Sequence, residues 1–173
     1  VSVVSQFMHS PKERHLEAVN RILRYLKSTP GRGLFFKKGD NGMVEVYTDA
    51  DWAGSFVDRR STSGYCTYVW GNIVTWRSKK QPVVARSSAE AEFRALAHGI
   101  CEGVWLRKLL RELKISDEDP MKFYCDNKAA ISIAHNPVHH DRTKHVEVDR
   151  HFIKENIDNG SICMTYIPTK EQT

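Results

Sequence analysis

No apolar run in this sequence approaches the roughly 20 residues that a membrane-spanning helix needs. The amino terminus, Val1-Ser2-Val3-Val4, has neither the basic start nor the long apolar stretch of a signal peptide. An initiator methionine is also missing, so a segment of a longer chain is expected. The four cysteines, Cys66, Cys101, Cys125 and Cys163, include no C-x-x-C pair, which points to buried reduced thiols rather than a disulfide framework or a zinc knuckle. Five histidines, His135, His139, His140, His145 and His151, fit no standard zinc spacing, and surface or loop roles are expected for them. Gly-x-Ser-x-Gly, a Cys–His nucleophile signature and a Walker loop are all absent, which removes the chemistries those motifs carry. Internal repeats and low-complexity segments are lacking as well.

What is present is an ordinary globular composition over 173 residues, 40% hydrophobic and 27% charged, enough for one well-buried core. The net charge of +5 is moderate and has meaning only where it clusters. It does so at Lys37-Lys38, Arg59-Arg60, Arg77-Ser78-Lys79-Lys80 and Arg142-Thr143-Lys144, three of which are expected in turns.

Ser10-Pro11-Lys12-Glu13 predicts a helix start, with Ser10 as cap and Glu13 completing a capping box. Leu16, Val19, Ile22, Leu23 and Leu26 continue it at helical spacing to Thr29-Pro30-Gly31, with Arg14, Arg21, Arg24 and Lys27 on the other face. Residues 31–42 are expected as a linker around a short strand at Leu34–Phe36, so a domain boundary is placed between 42 and 43. Strands follow at Met43–Asp49, Gly64–Trp70 and Asn72–Trp76, the last two as a hairpin through Gly71-Asn72. A long helix runs from Ala89 to about Lys114 behind the cap Ser87-Ser88, its apolar positions being Phe93, Leu96, Ala97, Ile100 and Val104. Then come a strand at Met121–Cys125, a short helix ending near Asn136-Pro137, a helix from about Thr143 to Asn159 and a strand at Ile162–Ile167. That order predicts an α/β fold: a mixed five-stranded sheet, three antiparallel strands then helix-alternating strands, with flanking helices. Trp52, Trp70, Trp76 and Trp105 are assigned mostly to the core.

Candidate chemistry lies in the acids. Asp49 and Asp126 each end a strand, and Glu92 lies in the first turn of the long helix, so a mixed sheet can bring the three together. Clustered carboxylates repel, and a divalent cation with oxygen ligands reverses that repulsion. Two such ions about 4 Å apart activate water on one side of a phosphodiester and stabilise the leaving oxygen on the other, without a side-chain nucleophile. The expectation is a nuclease. Taken singly, each acid also suits a plain role: Asp49 or Asp126 as turn former or cap, Glu90 and Glu92 as partners of the helix dipole. Helical angles do not separate Glu90 from Glu92. Trp52, just past the acidic turn, is a candidate for substrate contact.

Five strings carry a resemblance. Thr48-Asp49-Ala50-Asp51-Trp52-Ala53-Gly54, Arg60-Ser61-Thr62-Ser63-Gly64-Tyr65, Ser87-Ser88-Ala89-Glu90-Ala91-Glu92-Phe93-Arg94-Ala95-Leu96, Cys125-Asp126-Asn127-Lys128-Ala129-Ala130 and Arg142-Thr143-Lys144-His145-Val146-Glu147 closely resemble the ribonuclease H domain of copia-type LTR retrotransposon Pol polyproteins. Val4-Ser5-Gln6-Phe7-Met8 through Arg24-Tyr25-Leu26-Lys27 resembles the end of the preceding reverse transcriptase, its thumb or connection region. The resemblance implies a reverse-transcriptase remnant over 1–42 and a ribonuclease H domain over 43–173 that lacks its last helix. It implies two Mg²⁺ ions, with Mn²⁺ as a substitute, and cleavage of the RNA strand of RNA–DNA hybrids beside the polymerase domain of the same polyprotein. The expected compartment is the cytoplasm, inside a virus-like particle, or the nucleus; no membrane partner is implied. By the family motif, Asp49, Glu92 and Asp126 are both catalytic residues and metal ligands. Ala50, Asp51, Trp52, Ser87, Ser88, Asn127 and Lys128 are the substrate-side candidates. The family's fourth carboxylate follows a segment like Ile167-Pro168-Thr169-Lys170-Glu171-Gln172, beyond Thr173. Glu147 and Asp149 are the substitutes to consider, and weakened cleavage is expected if 173 residues are the whole chain. A hybrid-binding module without cleavage and a purely structural connection domain are the rival readings.

Overall fold

The computed structural model describes residues 1–39, 44–115, 119–135 and 144–172. The chain separates into two compact units, Val1–Phe36 and Lys37–Thr173. The first unit contains α1 (Ser2–Ser5) and α2 (Glu13–Ser28). Helix α2 starts later than its sequence suggests. Pro11 disfavours helical geometry for Ser10, and Lys12 is the capping residue, its backbone N–H donating to His15 Nδ1 at 3.0 Å. The expected Ser10–Glu13 capping box therefore does not form. No residue of α2 is buried within its unit, and Leu16, Leu23 and Leu26 all face solvent. Leu34–Phe36 is irregular and exposed, not a strand.

The second unit contains β1 (Val44–Asp51), β2 (Thr62–Val69), β3 (Asn72–Lys80), α3 (Ser88–Glu112), β4 (Met121–Cys125), α4 (Lys128–His135), α5 (Lys144–Asp158) and β5 (Ile162–Tyr166), closed by a 3₁₀ turn at Thr169–Glu171. The sheet order is β3-β2-β1-β4-β5. The β1–β2 and β2–β3 pairs are antiparallel, while β1–β4 and β4–β5 are parallel, which is the mixed sheet the sequence predicts. The hairpin turns through Trp70-Gly71, one residue earlier than expected. Both have positive φ (53° and 72°), the geometry a two-residue hairpin needs. Asn72 fastens that turn instead of occupying it, its Nδ2 donating to the carbonyls of Trp70 (3.1 Å) and Lys37 (2.8 Å). Strand β3 continues to Lys80, so the Arg77–Lys80 cluster lies on a strand and not in a turn.

Helix α3 lies across one face of the sheet. Phe93, Leu96 and Ile100 are fully buried with Val44, Val46 and Phe123, each such side chain contributing roughly 1.5–3 kcal/mol. The helix approaches the strands closely at Gly99 and Gly103, where a Cβ would lie 2.5 Å from Thr48 Cγ2 and 2.9 Å from Phe123 Cζ. The buried stripe accordingly runs through Gly103 and Leu106, and the expected core position Val104 is exposed. None of the four tryptophans is buried. Trp76 is 64% exposed on the edge strand, and Trp52, Trp70 and Trp105 lie on a turn or on outer faces. The four cysteines are free, but only Cys125 is buried. Among the described residues, no helix is long and apolar enough to cross a membrane.

Candidate metal centre

Strand β1 turns Val44, Val46, Thr48 and Ala50 inward and leaves Asp49 at the surface near its carboxyl end. The parallel neighbour β4 pairs Val46 with Phe123 and Tyr47 with Tyr124. Continued two residues further, that register sets Asp126 beside Asp49, about one strand spacing (roughly 4.8 Å) away. A parallel crossover thus aligns two acids that lie far apart in the chain.

The third acid comes from the first turn of α3, where sequence reasoning left two candidates. Ser87 Oγ caps the helix by accepting from the Glu90 N–H at 3.2 Å. The Glu90 carboxylate is fully engaged, accepting from the Arg86 N–H at 2.8 Å and from Arg94 Nη2 at 3.0 Å. Glu92 points the other way. It is 5% exposed, its Oε1 accepts from the Ala50 N–H at 3.1 Å, and its buried Oε2 has no donor. Capping geometry separates the two glutamates where periodicity does not.

Burial pushes the Glu92 carboxyl up to about 8, and the charges of Asp49 and Asp126 add to the rise. Asp49 is raised by partial burial and then by Asp126. Ligand atoms of Glu92, Asp126 and Cys125 lie within 4.8 Å of one another. Asp49 is outside that triple but electrostatically coupled to both acids. Cys125 was not a sequence candidate. Its buried thiol is pushed up to about 12 and so stays protonated at neutral pH, leaving carboxylate oxygens as the donors a hard cation would take. An orphaned, buried carboxylate oxygen beside two further acids fits a hard divalent cation, which would relieve all three at once. Glu92 and Asp126, with Asp49 beside them, could hold it.

The segment after β5 closes one side of the cleft. The Ile167 N–H donates to the Cys125 carbonyl at 3.1 Å, Thr169 Oγ1 donates to Asp126 Oδ2 at 2.5 Å, and Gln172 Nε2 donates to the Thr48 carbonyl at 2.8 Å. Thr169 and Gln172, with Asp49 and Cys66, line a cavity of about 330 Å³. Neither residue was singled out from the sequence, because nothing local to Thr169 marks it as the partner of an acid 43 residues away.

The remaining candidates divide between scaffold and surface. Ala50 spends its N–H on Glu92. Asp51 accepts from the Thr62 N–H, and Asn127 Oδ1 accepts from the Ala130 N–H at 3.0 Å, capping α4. The Trp52 indole donates to the Ala85 carbonyl at 3.1 Å with half its surface open to solvent. Lys128 Nζ sits 4.6 Å from the centre of the Tyr166 ring. Ser87 and Ser88 are exposed at the start of α3. Glu147 is exposed in the first turn of α5, and the charge of Asp149 falls on His98 and Cys101 of α3 rather than on the carboxylate cluster. His135 and His151 are exposed. His139, His140, Arg142 and Thr143 lie outside the described residues, as does the expected helix end at Asn136-Pro137.

No protein-family model matches the chain. Over 172 residues it is 45% identical to the retrovirus-related Pol polyprotein from transposon RE1 of Arabidopsis thaliana, and 43% identical to that from transposon RE2 of the same plant. Each match covers 99% of this chain but only 12% of the relative's length. Among solved structures, RNase H1 from Halobacterium salinarum NRC-1 superposes with a TM-score of 0.51 at 14% identity, covering 76% of this chain and 89% of that one. LC11-RNase H1, solved in complex with an RNA/DNA hybrid, gives 0.50 at 14% identity, covering 75% and 88%. The chain has a ribonuclease H fold and belongs to the family of retrovirus-related Pol polyproteins of transposons.

Proposed function

We propose that this chain is the ribonuclease H module of a copia-type LTR retrotransposon polyprotein, hydrolysing the RNA strand of RNA–DNA hybrids during reverse transcription. In this reading residues 1–42 are the end of the reverse transcriptase, and the module acts beside that enzyme in a cytoplasmic virus-like particle or the nucleus. The observation that carries the reading is the convergence of Asp49, Glu92 and Asp126 around a buried carboxylate oxygen that no protein donor satisfies.

Two divalent ions, Mg²⁺ or Mn²⁺, supply when bound the activation of water and the stabilisation of the leaving oxygen. The chain's own part is positional. The Ala50 N–H fixes one oxygen of Glu92 and leaves the other to face the cleft. The Thr169 hydroxyl fixes one oxygen of Asp126 and so orients its carboxylate. The exposed face of Trp52, the start of α3 at Ser87-Ser88, and Asn127-Lys128 border the same end of the sheet, where a hybrid is met through its shape and 2′-hydroxyls. Salt-dependent phosphate contacts come from the basic clusters.

Asp49→Asn tests the reading. It should abolish Mg²⁺-dependent cleavage of the RNA strand while hybrid binding stays within about threefold of the parent, since a neutral amide no longer anchors the cation. Cleavage retained by the variant refutes the assignment. Binding with no cleavage in the parent, across Mg²⁺ and Mn²⁺ titrations, would instead favour a hybrid-binding module.

A further inference from the structure

Strand β3 is an edge strand, and the face it shares with α3 is basic. The register pairs Tyr65 with Arg77 and Ser63 with Lys79, and Tyr65 points toward the helix, its hydroxyl donating to Glu102 at 2.9 Å. Between this strip and α3 lies a cavity of about 340 Å³. That volume falls in the range of roughly 300–1,000 Å³ usual for small-molecule sites. Four cations line it: Arg60, Arg77, Lys79 and Lys80. Asp58 meets Lys80 at 3.4 Å and Arg60 at 3.7 Å, so those two are partly neutralised. Arg77 and Lys79 make no ion pair among the described residues.

The floor is built from polar groups of both kinds. Gln81 Nε2 donates to Ser63 Oγ at 2.9 Å and to the Ala91 carbonyl at 3.0 Å. Ser63, buried, therefore keeps its own proton to donate. Gln81 Oε1 is buried with no donor. The walls are flat or apolar: the Tyr65 ring, Pro82 and the His98 imidazole. Burial and the charges of Arg77 and Lys79 hold that imidazole below its usual value against the pull of Asp149, so the ring is neutral and free to stack. A bare phosphate would satisfy the cations but leave Gln81 Oε1 without a donor. A nucleotide answers each feature, with phosphate oxygens for Arg77 and Lys79, a base face for the rings, and a base N–H or ribose hydroxyl for Gln81.

Its position ties it to the cleft. Strand pairing sets Ser63 against Ala50, whose N–H holds Glu92, and Tyr65 and Arg77 border both this cavity and the one beside Asp49. We propose that this cavity holds one unpaired nucleotide of the strand whose paired part lies in the carboxylate cleft. The site adjoins the carboxylate cleft, with Tyr65 and Arg77 bordering both, and selects hybrids that carry a single-stranded extension. It rests on the function proposed above.

The test uses the 173-residue chain without added metal, with adenosine monophosphate, inorganic phosphate, blunt RNA–DNA hybrid, and the same hybrid with a three-nucleotide overhang at either end. Overhung hybrid should bind about tenfold tighter than blunt, the effect of one stacked and phosphate-held base. Arg77→Ala/Lys79→Ala should remove that advantage, overhung hybrid losing about tenfold more affinity than blunt hybrid, with Lys79→Glu as the second variant if the pair unfolds. Adenosine monophosphate should bind more tightly than phosphate and lose affinity in the same variants. Equal losses for blunt and overhung hybrid overturn the proposal in favour of a general backbone contact. Adenosine monophosphate binding with no overhang advantage overturns it in favour of a free-nucleotide site, and no binding at millimolar concentration overturns the cavity altogether. If no hybrid is bound, and none is cut once Mg²⁺ or Mn²⁺ is added, while adenosine monophosphate binding still depends on Arg77 and Lys79, the enzyme reading fails and the nucleotide cavity stands.

Discussion

Two regions on either side of β1 handle charge in opposite ways. At the carboxylate end, Asp49, Glu92 and Asp126 are brought together with too few donors, and Glu92 Oε2 is buried with no donor, its carboxyl facing Asp49. Across β2, Lys80 of the basic strip on β3 shares Asp58 with Arg60, and Tyr65 lies between Arg77 and Glu102. The same contrast recurs within one turn of α3. Glu90 is paired with Arg94 and the Arg86 N–H, whereas Glu92 two residues on is sealed among acids. Paired charges of this kind hold a structure together, while an acid cluster without counter-charge stores an unfavourable energy that a cation releases.

Glu92→Gln should produce the largest effect. Cleavage should fall by about a thousandfold or more in a hybrid-cleavage assay, because the amide keeps the Ala50 contact but loses the ionised oxygen facing the cation. Stability should move the other way. The folded Glu92 holds its proton up to about 8 while the unfolded chain releases it near 4.5, so the folded state binds more protons over that interval. Metal-free stability therefore falls as pH rises from about 4.5 to 8, by up to a few kcal/mol, and Glu92→Gln flattens that part of the profile. Denaturation midpoints at pH 5 and pH 8, with and without Mg²⁺, measure this; the cation should shrink the drop in the parent and not in the variant. An unchanged slope in Glu92→Gln would remove the contrast between the two glutamates.

Thr169→Val sharpens the same comparison from the Asp126 side. Loss of its hydroxyl frees one carboxylate oxygen, and the Mg²⁺ concentration for half-maximal cleavage should rise about three- to tenfold, the cost of one hydrogen bond to a charged group. Glu90→Gln should have the smallest effect. Cleavage should stay within about twofold, and thermal unfolding should report a loss of about 0.5–1 kcal/mol for the weakened cap and i,i+4 pair. A large loss of cleavage there would mean that the paired glutamate is functional after all.

Much of the second unit is legible in its sequence. Met121–Cys125 alternates cleanly and is bounded by turn residues, and it appears as β4 with those ends. Turns were less legible. Trp70 adopts a left-handed φ that side chains of its size avoid, so the hairpin sits one residue from where Gly71-Asn72 pointed. Tryptophan burial was misjudged for a related reason: size favours the core, but Trp76 lies on an edge strand and Trp105 on the outer face of α3. Strand β3 outlasts its apolar pattern because an edge strand tolerates exposed Arg77 and Lys79 and a Lys80 paired with Asp58. The contacts of Thr169 with Asp126 and of Gln81 with Ser63 join segments that no periodicity links.

From the sequence alone came the strand and helix order, the mixed sheet, and three strings that each end or begin an element on an acid. Those are local properties, written in side-chain alternation, caps and motifs. Tertiary structure decided the rest. Parallel pairing of β1 with β4 set Asp126 beside Asp49, and the cap at Ser87 turned Glu90 outward and Glu92 inward. Whether a carboxylate is paired or orphaned depends on which distant donors the fold brings within about 3 Å of it. That distance is a property of the packed chain, and so is the charge that Asp49, Glu92 and Asp126 gather at one end of the sheet.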